Sequence, residues 1–116
     1  MGKLTTHVLD TANGRPGSGI TVTVFYIDGV RRQVAAAVTN DDGRCDSSLL
    51  EGTAFQQGRY EIIFAAGAYF RAQGLALKEP LFVDDVVLRF GISNPDNHYH
   101  VPLLVSPWSY STYRGS

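Results

Sequence analysis

Hydrophobic and polar residues alternate along several short segments of this chain, and a period of two predicts β-strands rather than helices. Residues 20–24 read ITVTV, and apolar side chains occupy every second position in residues 60–64 and 86–92. The Asp-Gly pair at 28–29 follows the first of these segments and predicts a hairpin, because it tolerates the positive φ of a tight turn. The return strand is then expected over residues 30–39.

Further strands are expected near the two ends of the chain, over residues 5–8, 98–105 and 110–115. The sequence Ser-Pro-Trp-Ser at 106–109 separates the last two, and proline in its second position favours a type I turn. Pro102 lies inside the 98–105 strand but has no N–H to offer a β-ladder. This predicts either an edge position or a local bulge there.

Helical spacing of side chains marks one segment, residues 65–74. It ends at Gly74, a typical C-terminal stop, and the side chains that share its face are Ala66, Tyr69, Phe70 and Gln73. Roughly seven or eight short strands with one short helix indicate an all-β sandwich. The length of 116 residues suits one domain over residues 1–116.

Charge and composition narrow the possible partners. The net charge is -1, which argues against nucleic acid as a partner. The longest uncharged apolar stretch, residues 62–70, is shorter than the ~20 residues that a membrane span needs, and the first ten residues contain no secretory apolar segment. The single cysteine, Cys45, cannot form an intrachain disulfide, which favours a reducing compartment. We therefore expect a cytoplasmic protein that binds neither nucleic acid nor membrane.

Few side chains in this sequence could carry chemistry. His98 and His100 stand two apart on an expected strand and so share a face, His7 lies in the first strand, and Arg44 follows a turn. Three histidines could hold a zinc ion with an open fourth position. Alternatively, a histidine base and an arginine could activate water without a metal. A third reading is a carrier that binds a small ligand without chemistry. Cys45 has no histidine neighbour in the sequence, so a thiol nucleophile is disfavoured.

Four segments of the chain carry distinctive motifs: residues 4–10 (LTTHVLD), 42–44 (DGR), 98–104 (HYHVPLL) and 106–116 (SPWSYSTYRGS). Together these segments resemble the 5-hydroxyisourate hydrolase family, the transthyretin-related branch of urate catabolism. The closing YRGS is the most specific, since true transthyretins lack it. The resemblance implies a transthyretin-like sandwich of two four-stranded sheets with one short helix. It also implies a homotetramer, built as a dimer of dimers with active sites at the dimer–dimer interface, and no cofactor.

The same resemblance implies roles for individual residues. It assigns catalysis to His7, Arg44 and His100, substrate binding to His7, Arg44, Tyr113 and Ser116, and supporting positions beside the site to His98 and Arg114. No metal is expected among them. The terminal carboxylate at Ser116 is expected to belong to the site as well.

The implied reaction is hydrolysis of 5-hydroxyisourate, a small carbonyl-rich ring, to 2-oxo-4-hydroxy-4-carboxy-5-ureidoimidazoline. Water attacks a ring carbonyl and a ring C–N bond breaks. A neutral imidazole suits removal of the water proton near pH 7, and an arginine suits the oxyanion. His7 is expected as the base or water-orienting group and His100 as its partner, with the two roles interchangeable.

Overall fold

The computed structural model describes all 116 residues and consists mainly of short β-strands. In chain order the strands are β1 (Lys3–Thr5), β2 (Val8–Asp10), β3 (Arg15–Pro16), β4 (Thr21–Ile27), β5 (Arg31–Val38), β6 (Leu50–Glu51), β7 (Gly58–Phe64), β8 (Val86–Ile92), β9 (His98–His100), β10 (Leu103–Val105) and β11 (Tyr110–Thr112). One α-helix, α1, spans Ala66–Ala72, and a 3₁₀ turn spans Gly52–Ala54. None of the helices is long and apolar enough to cross a membrane.

The first sheet is antiparallel and four-stranded, in the order β5-β4-β7-β8. Its strands are the segments with the clearest alternation in the sequence, and β8 has the bounds that the pattern predicted. The predicted hairpin joins β4 to β5: Ile27 pairs with Arg31, and Gly29 between them has a φ of 93°, which favours glycine. The expected all-β sandwich with one short helix is confirmed.

The second sheet is divided into two pieces, β6-β1-β9 and β11-β10-β2-β3. β1 and β2 run parallel to β9 and β10, so the same two chain segments lie side by side in both pieces. Backbone hydrogen bonds continue across the gap. The N–H of Val101 donates to the carbonyl oxygen of Thr5, and the N–H of Leu103 donates to the carbonyl oxygen of His7, each over 2.9 Å. The sheet is therefore one layer with a break in both central strands.

This break corrects two expectations. The strand expected over residues 5–8 is interrupted at Thr6 and His7, with β1 before them and β2 after. Pro102 lies in the corresponding gap between β9 and β10, so the strand expected over residues 98–105 is also interrupted, and this gap accommodates the proline in place of the expected edge position or bulge. The gap accommodates proline because no ladder hydrogen bond requires its missing N–H. The Pro102 carbonyl oxygen accepts a 2.7 Å hydrogen bond from the Thr112 hydroxyl.

The two sheets enclose one hydrophobic core. Tyr60, Phe64 and Phe70 are among its largest members, and each such side chain contributes roughly 1.5–3 kcal/mol relative to exposure. Along β1 and β2, alternate side chains enter this core, so their neighbours necessarily point to the outer face of the second sheet. That outer face carries the candidate site.

Candidate active site

The outer face of the second sheet collects the polar residues of two parallel strand segments. Leu4, Thr6 and Val8 point inward and are buried, whereas Thr5 and His7 between them remain partly exposed. The parallel register places Thr5 beside His100. His98, two residues earlier, shares the face of His100 as the sequence predicted.

Arg44 reaches this face because its loop is attached to β2. His7 and Arg44 form an antiparallel bridge, and the N–H of Val8 donates to the Gly43 carbonyl oxygen over 2.8 Å. Gly43 has a φ of 75°, and a Cβ there would lie 2.3 Å from the Val8 carbonyl oxygen. Only glycine fits this close approach, so the Asp-Gly-Arg sequence serves to deliver Arg44 beside His7.

The same loop sets the tautomer of His7. Nε2 of His7 lies 2.8 Å from the carbonyl oxygen of Asp42. A carbonyl oxygen can only accept a hydrogen bond, so Nε2 carries the hydrogen. In neutral His7 the lone pair is therefore on Nδ1, and that nitrogen is the one able to accept a proton or orient a water molecule.

Thr5 connects the other two histidines. Its hydroxyl oxygen lies 2.7 Å from Nε2 of His98 and 2.8 Å from Nδ1 of His100. Sequence reasoning did not select Thr5 as a site residue, although its position two residues before His7 places both side chains on one face. A threonine in a strand is ordinary, and only the register with His100 shows its role.

The environment of His100 favours its neutral form. Burial lowers the pKa of this imidazole, and the positive charge of Arg44, followed by His98 and His7, lowers it further. These four side chains therefore belong to one electrostatic cluster. A neutral imidazole is the form that can accept a proton from water at neutral pH.

The segment after β11 lies against the strand that carries this cluster. His100 and Gly115 form an antiparallel bridge. Arg114 places its guanidinium 4.1 Å from the centre of the Tyr99 ring, and its Nη2 donates to the His98 carbonyl oxygen over 3.3 Å. The supporting position expected for Arg114 thus corresponds to contacts with the His98–His100 strand.

Tyr113 and Ser116 make no hydrogen bond to the histidines within the chain. Tyr113 is 61% exposed and lines a cavity of about 310 Å³ together with Tyr99, Val101 and part of β8. Ser116 is exposed, and its side chain makes no hydrogen bond within the chain. A single chain therefore brings together His7, Arg44, His98 and His100, with Thr5 between the last two.

The geometry does not support a zinc site or a cysteine nucleophile, the two other chemical hypotheses from the sequence. No group of three His, Cys, Asp or Glu side chains is arranged to hold a metal ion. Burial raises the pKa of the Cys45 thiol, and the charge of Asp46 raises it further, so this cysteine is not activated as a nucleophile.

The fold and the site together define a β-sandwich protein with a histidine–arginine cluster on the outer face of one sheet. Residues 4–115 match the HIUase/Transthyretin family, and the chain belongs to that family.

Similar proteins of known name show which members of this family the chain resembles. The chain is 58% identical to a 5-hydroxyisourate hydrolase of Ralstonia nicotianae, with each chain covered completely. Among solved structures, a 5-hydroxyisourate hydrolase of Klebsiella pneumoniae is 33% identical, with a TM-score of 0.83 and both chains fully covered. An (S)-allantoin synthase is 49% identical with a TM-score of 0.94; the match covers 99% of this chain and 44% of that one. The predicted resemblance, the transthyretin-like fold and the hydrolase class are confirmed.

Proposed function

We propose that this chain hydrolyses 5-hydroxyisourate to 2-oxo-4-hydroxy-4-carboxy-5-ureidoimidazoline. Water attacks a ring carbonyl, and a C–N bond of the six-membered ring breaks. One observation carries the proposal. The backbone bridge between His7 and Arg44 holds these two residues beside the sheet face on which Thr5 contacts His98 and His100. The names of the full-length relatives support this choice of substrate.

His100 is assigned as the acceptor of the water proton. Its Nδ1 is occupied by the Thr5 hydroxyl, which leaves Nε2 for the water molecule. Burial and nearby positive charges keep the imidazole neutral, the form required of a general base. Loss of such a base lowers rates by about a hundredfold or more.

Arg44 and His7 are assigned to the substrate itself. The Arg44 guanidinium offers two parallel N–H donors to the oxyanion that forms at the attacked carbonyl. His7 donates Nε2–H to the loop carbonyl, so its Nδ1 can position the water molecule or the leaving ring nitrogen. Neither role requires a metal ion.

We further propose that the protein is a homotetramer, a dimer of dimers, in which Tyr113 and Ser116 complete a site on a neighbouring subunit. Tyr113 is exposed and lines a cavity that no histidine of its own chain lines. β8 and β11 are unpaired edge strands of the two sheets, and Val87 and Tyr110 on them are exposed. Such edges are commonly covered by a second copy.

A cytoplasmic location and the absence of nucleic-acid and membrane partners stay predictions. They rest on the single cysteine and on the near-zero net charge of -1.

The deciding experiment follows the absorbance of freshly generated 5-hydroxyisourate with and without the purified protein. We expect decay well above the spontaneous rate, unchanged by a metal chelator and unchanged in Cys45→Ser. An unaltered decay rate with a ligand-dependent fluorescence change would indicate a carrier instead. Loss of activity with chelator and recovery with zinc would indicate the metal-dependent alternative.

A further inference from the structure

The Thr5 hydroxyl is shared by two imidazoles, and a hydroxyl has one hydrogen to donate and two lone pairs to accept with. When both His98 and His100 are neutral, the oxygen can donate to one of the facing nitrogens and accept from the other. Only one of those two nitrogens then carries a hydrogen. The tautomers of His98 and His100 are therefore linked through Thr5.

The two linked arrangements differ in what His100 offers to the substrate. If Nδ1 of His100 donates to Thr5, then Nε2 holds a lone pair and the residue can act as a base. Thr5 then donates to Nε2 of His98. In the opposite arrangement Nε2 of His100 carries a hydrogen and the residue can act as an acid.

We propose that Thr5 is a positioning residue that passes a proton between His100 and His98, so that the positive charge formed during water attack comes to lie on His98. This inference rests on the proposed hydrolase function and adds Thr5 and His98 to its proton path. His98, which the sequence placed only beside the site, becomes the end of that path.

The transfer balances atom by atom. The O–H bond of water breaks and its proton binds Nε2 of His100, while the hydroxide forms a bond to the ring carbonyl carbon. The Nδ1–H bond of His100 breaks as that proton moves to the Thr5 oxygen. The original Thr5 hydroxyl proton moves to Nε2 of His98. Thr5 ends as a neutral hydroxyl and His98 as an imidazolium, and the reverse transfer can protonate the leaving ring nitrogen.

The Arg44 charge favours movement of the proton away from His100. Arg44 repels a positive charge on His100, as do the neighbouring His7 and His98 when they are protonated. Moving the proton to His98 removes the charge from the residue that faces Arg44. Two further cations lie near the pair. Lys3 is exposed and pairs with His98 in the parallel register. Arg114 directs its guanidinium to the Tyr99 ring and the His98 carbonyl oxygen rather than to either imidazole.

Three variants separate this role from a structural one. Thr5→Val keeps the β-branched shape and removes the hydroxyl, whereas Thr5→Ser keeps the hydroxyl. Thr6→Val is the matched control, because the Thr6 hydroxyl donates to the Val101 carbonyl oxygen at the same pair of strands but contacts no histidine. We expect kcat to fall about a hundredfold in Thr5→Val with little change in KM, and to recover in Thr5→Ser. Thr6→Val is expected to keep kcat while losing stability.

A second measurement does not depend on turnover. Long-range ¹H–¹⁵N NMR spectra of the full-length protein at neutral pH report the tautomers of His98 and His100. We expect a hydrogen on one of the two facing nitrogens and not on the other, and loss of this pairing in Thr5→Val. If the wild-type protein fails to turn over 5-hydroxyisourate but shows the paired tautomers, the proposed function fails and the link through Thr5 stands. Full kcat in folded Thr5→Val, no recovery in Thr5→Ser, or unpaired tautomers in the wild type would overturn the relay.

Discussion

His100 and Gly115 exchange both of their backbone hydrogen bonds: the N–H of Gly115 donates to the His100 carbonyl oxygen over 2.7 Å, and the N–H of His100 donates back over 3.1 Å. The segment that follows β11 is thereby fixed in register with the strand that carries the candidate base. A change in that segment can therefore displace His100.

Gly115→Val tests this connection. A Cβ at Gly115 would lie 3.3 Å from the Cβ of His100, closer than ordinary van der Waals contact, and the larger side chain must displace the segment or the imidazole. We expect kcat/KM for 5-hydroxyisourate to fall at least tenfold, since a displacement of about 1 Å can cost up to a hundredfold. Ala76→Val is the control, because Ala76 is exposed in the loop after α1 and away from the site. Equal activity in the two variants would mean that the Gly115 contact does not position His100.

Arg44→Ala should change the pH dependence of the reaction as well as its rate. His100 must be neutral to accept a proton, so kcat/KM falls as the pH drops below its pKa. Burial holds that pKa below its ordinary value of 6.5, and the Arg44 charge lowers it further. Without Arg44 the pKa rises, and the acid limb of the pH–rate profile moves to higher pH. The rate itself should fall about a hundredfold or more, because the oxyanion loses its cationic donor.

Arg59→Ala provides the comparison for that experiment, since Arg59 is an exposed arginine on β7, away from the site. Its profile should match that of the wild-type protein in both rate and position. An acid limb that stays in place in Arg44→Ala would mean that the group titrating in the profile is not His100.

The strands of the first sheet could be predicted because apolar and polar residues alternate along them and the apolar residues form the buried face. β8 begins and ends where the pattern does, and the hairpin after β4 has the expected Asp-Gly pair. β3 and β6 were missed because two residues are too few to show a period. The break at Thr6 and His7 was missed because the alternation of buried and exposed side chains continues through it.

The candidate site was predictable only where it depends on local spacing. Two residues on one strand share a face, which is why His98 and His100 were placed together. The approach of Arg44 to His7 depends on the contact between Gly43 and the Val8 backbone, which lie far apart in the sequence. The role of Thr5 depends on the parallel register of β1 and β9, and no local pattern encodes that register. The family resemblance assigned His7 and Arg44 to one site, which spacing could not do, but it did not select Thr5.

Asp10 is expected to control stability rather than catalysis. Its carboxylate is 1% exposed and accepts hydrogen bonds from the Asn13 side chain, the Tyr69 hydroxyl and two backbone N–H groups. Burial raises the pKa of this carboxyl, but the hydrogen bonds outweigh burial and the net pKa is lowered. A lowered pKa in the folded state stabilises the fold above the pKa of the unfolded chain. That contribution disappears as the pH falls through the folded value.

Asp10→Asn should therefore lower the free energy of unfolding at pH 7 by about 1–3 kcal/mol. The difference from the wild-type protein should be smaller at a second, acidic pH below the ordinary carboxyl value of 3.8, because the contribution is lost as the pH falls towards the lowered pKa of the folded state. Urea unfolding at both pH values and at one protein concentration measures this, with the exposed Asp96→Asn as the control. A difference that does not change with pH would mean that the ionised state of Asp10 is not the source of its contribution.

Mixed tetramers can show whether Tyr113 acts on a neighbouring subunit. His100→Ala and Tyr113→Ala are each expected to be strongly impaired as pure proteins. If His100 and Tyr113 of one site come from different subunits, random mixing of the two variants creates sites that contain both native residues. About a quarter of the sites in a one-to-one mixture should then recover. Co-folding the two variants, followed by size-exclusion chromatography and the 5-hydroxyisourate assay, measures the recovery. If both residues serve a site from the same chain, every site keeps one defect, and the mixture should be no more active than the average of the two pure variants.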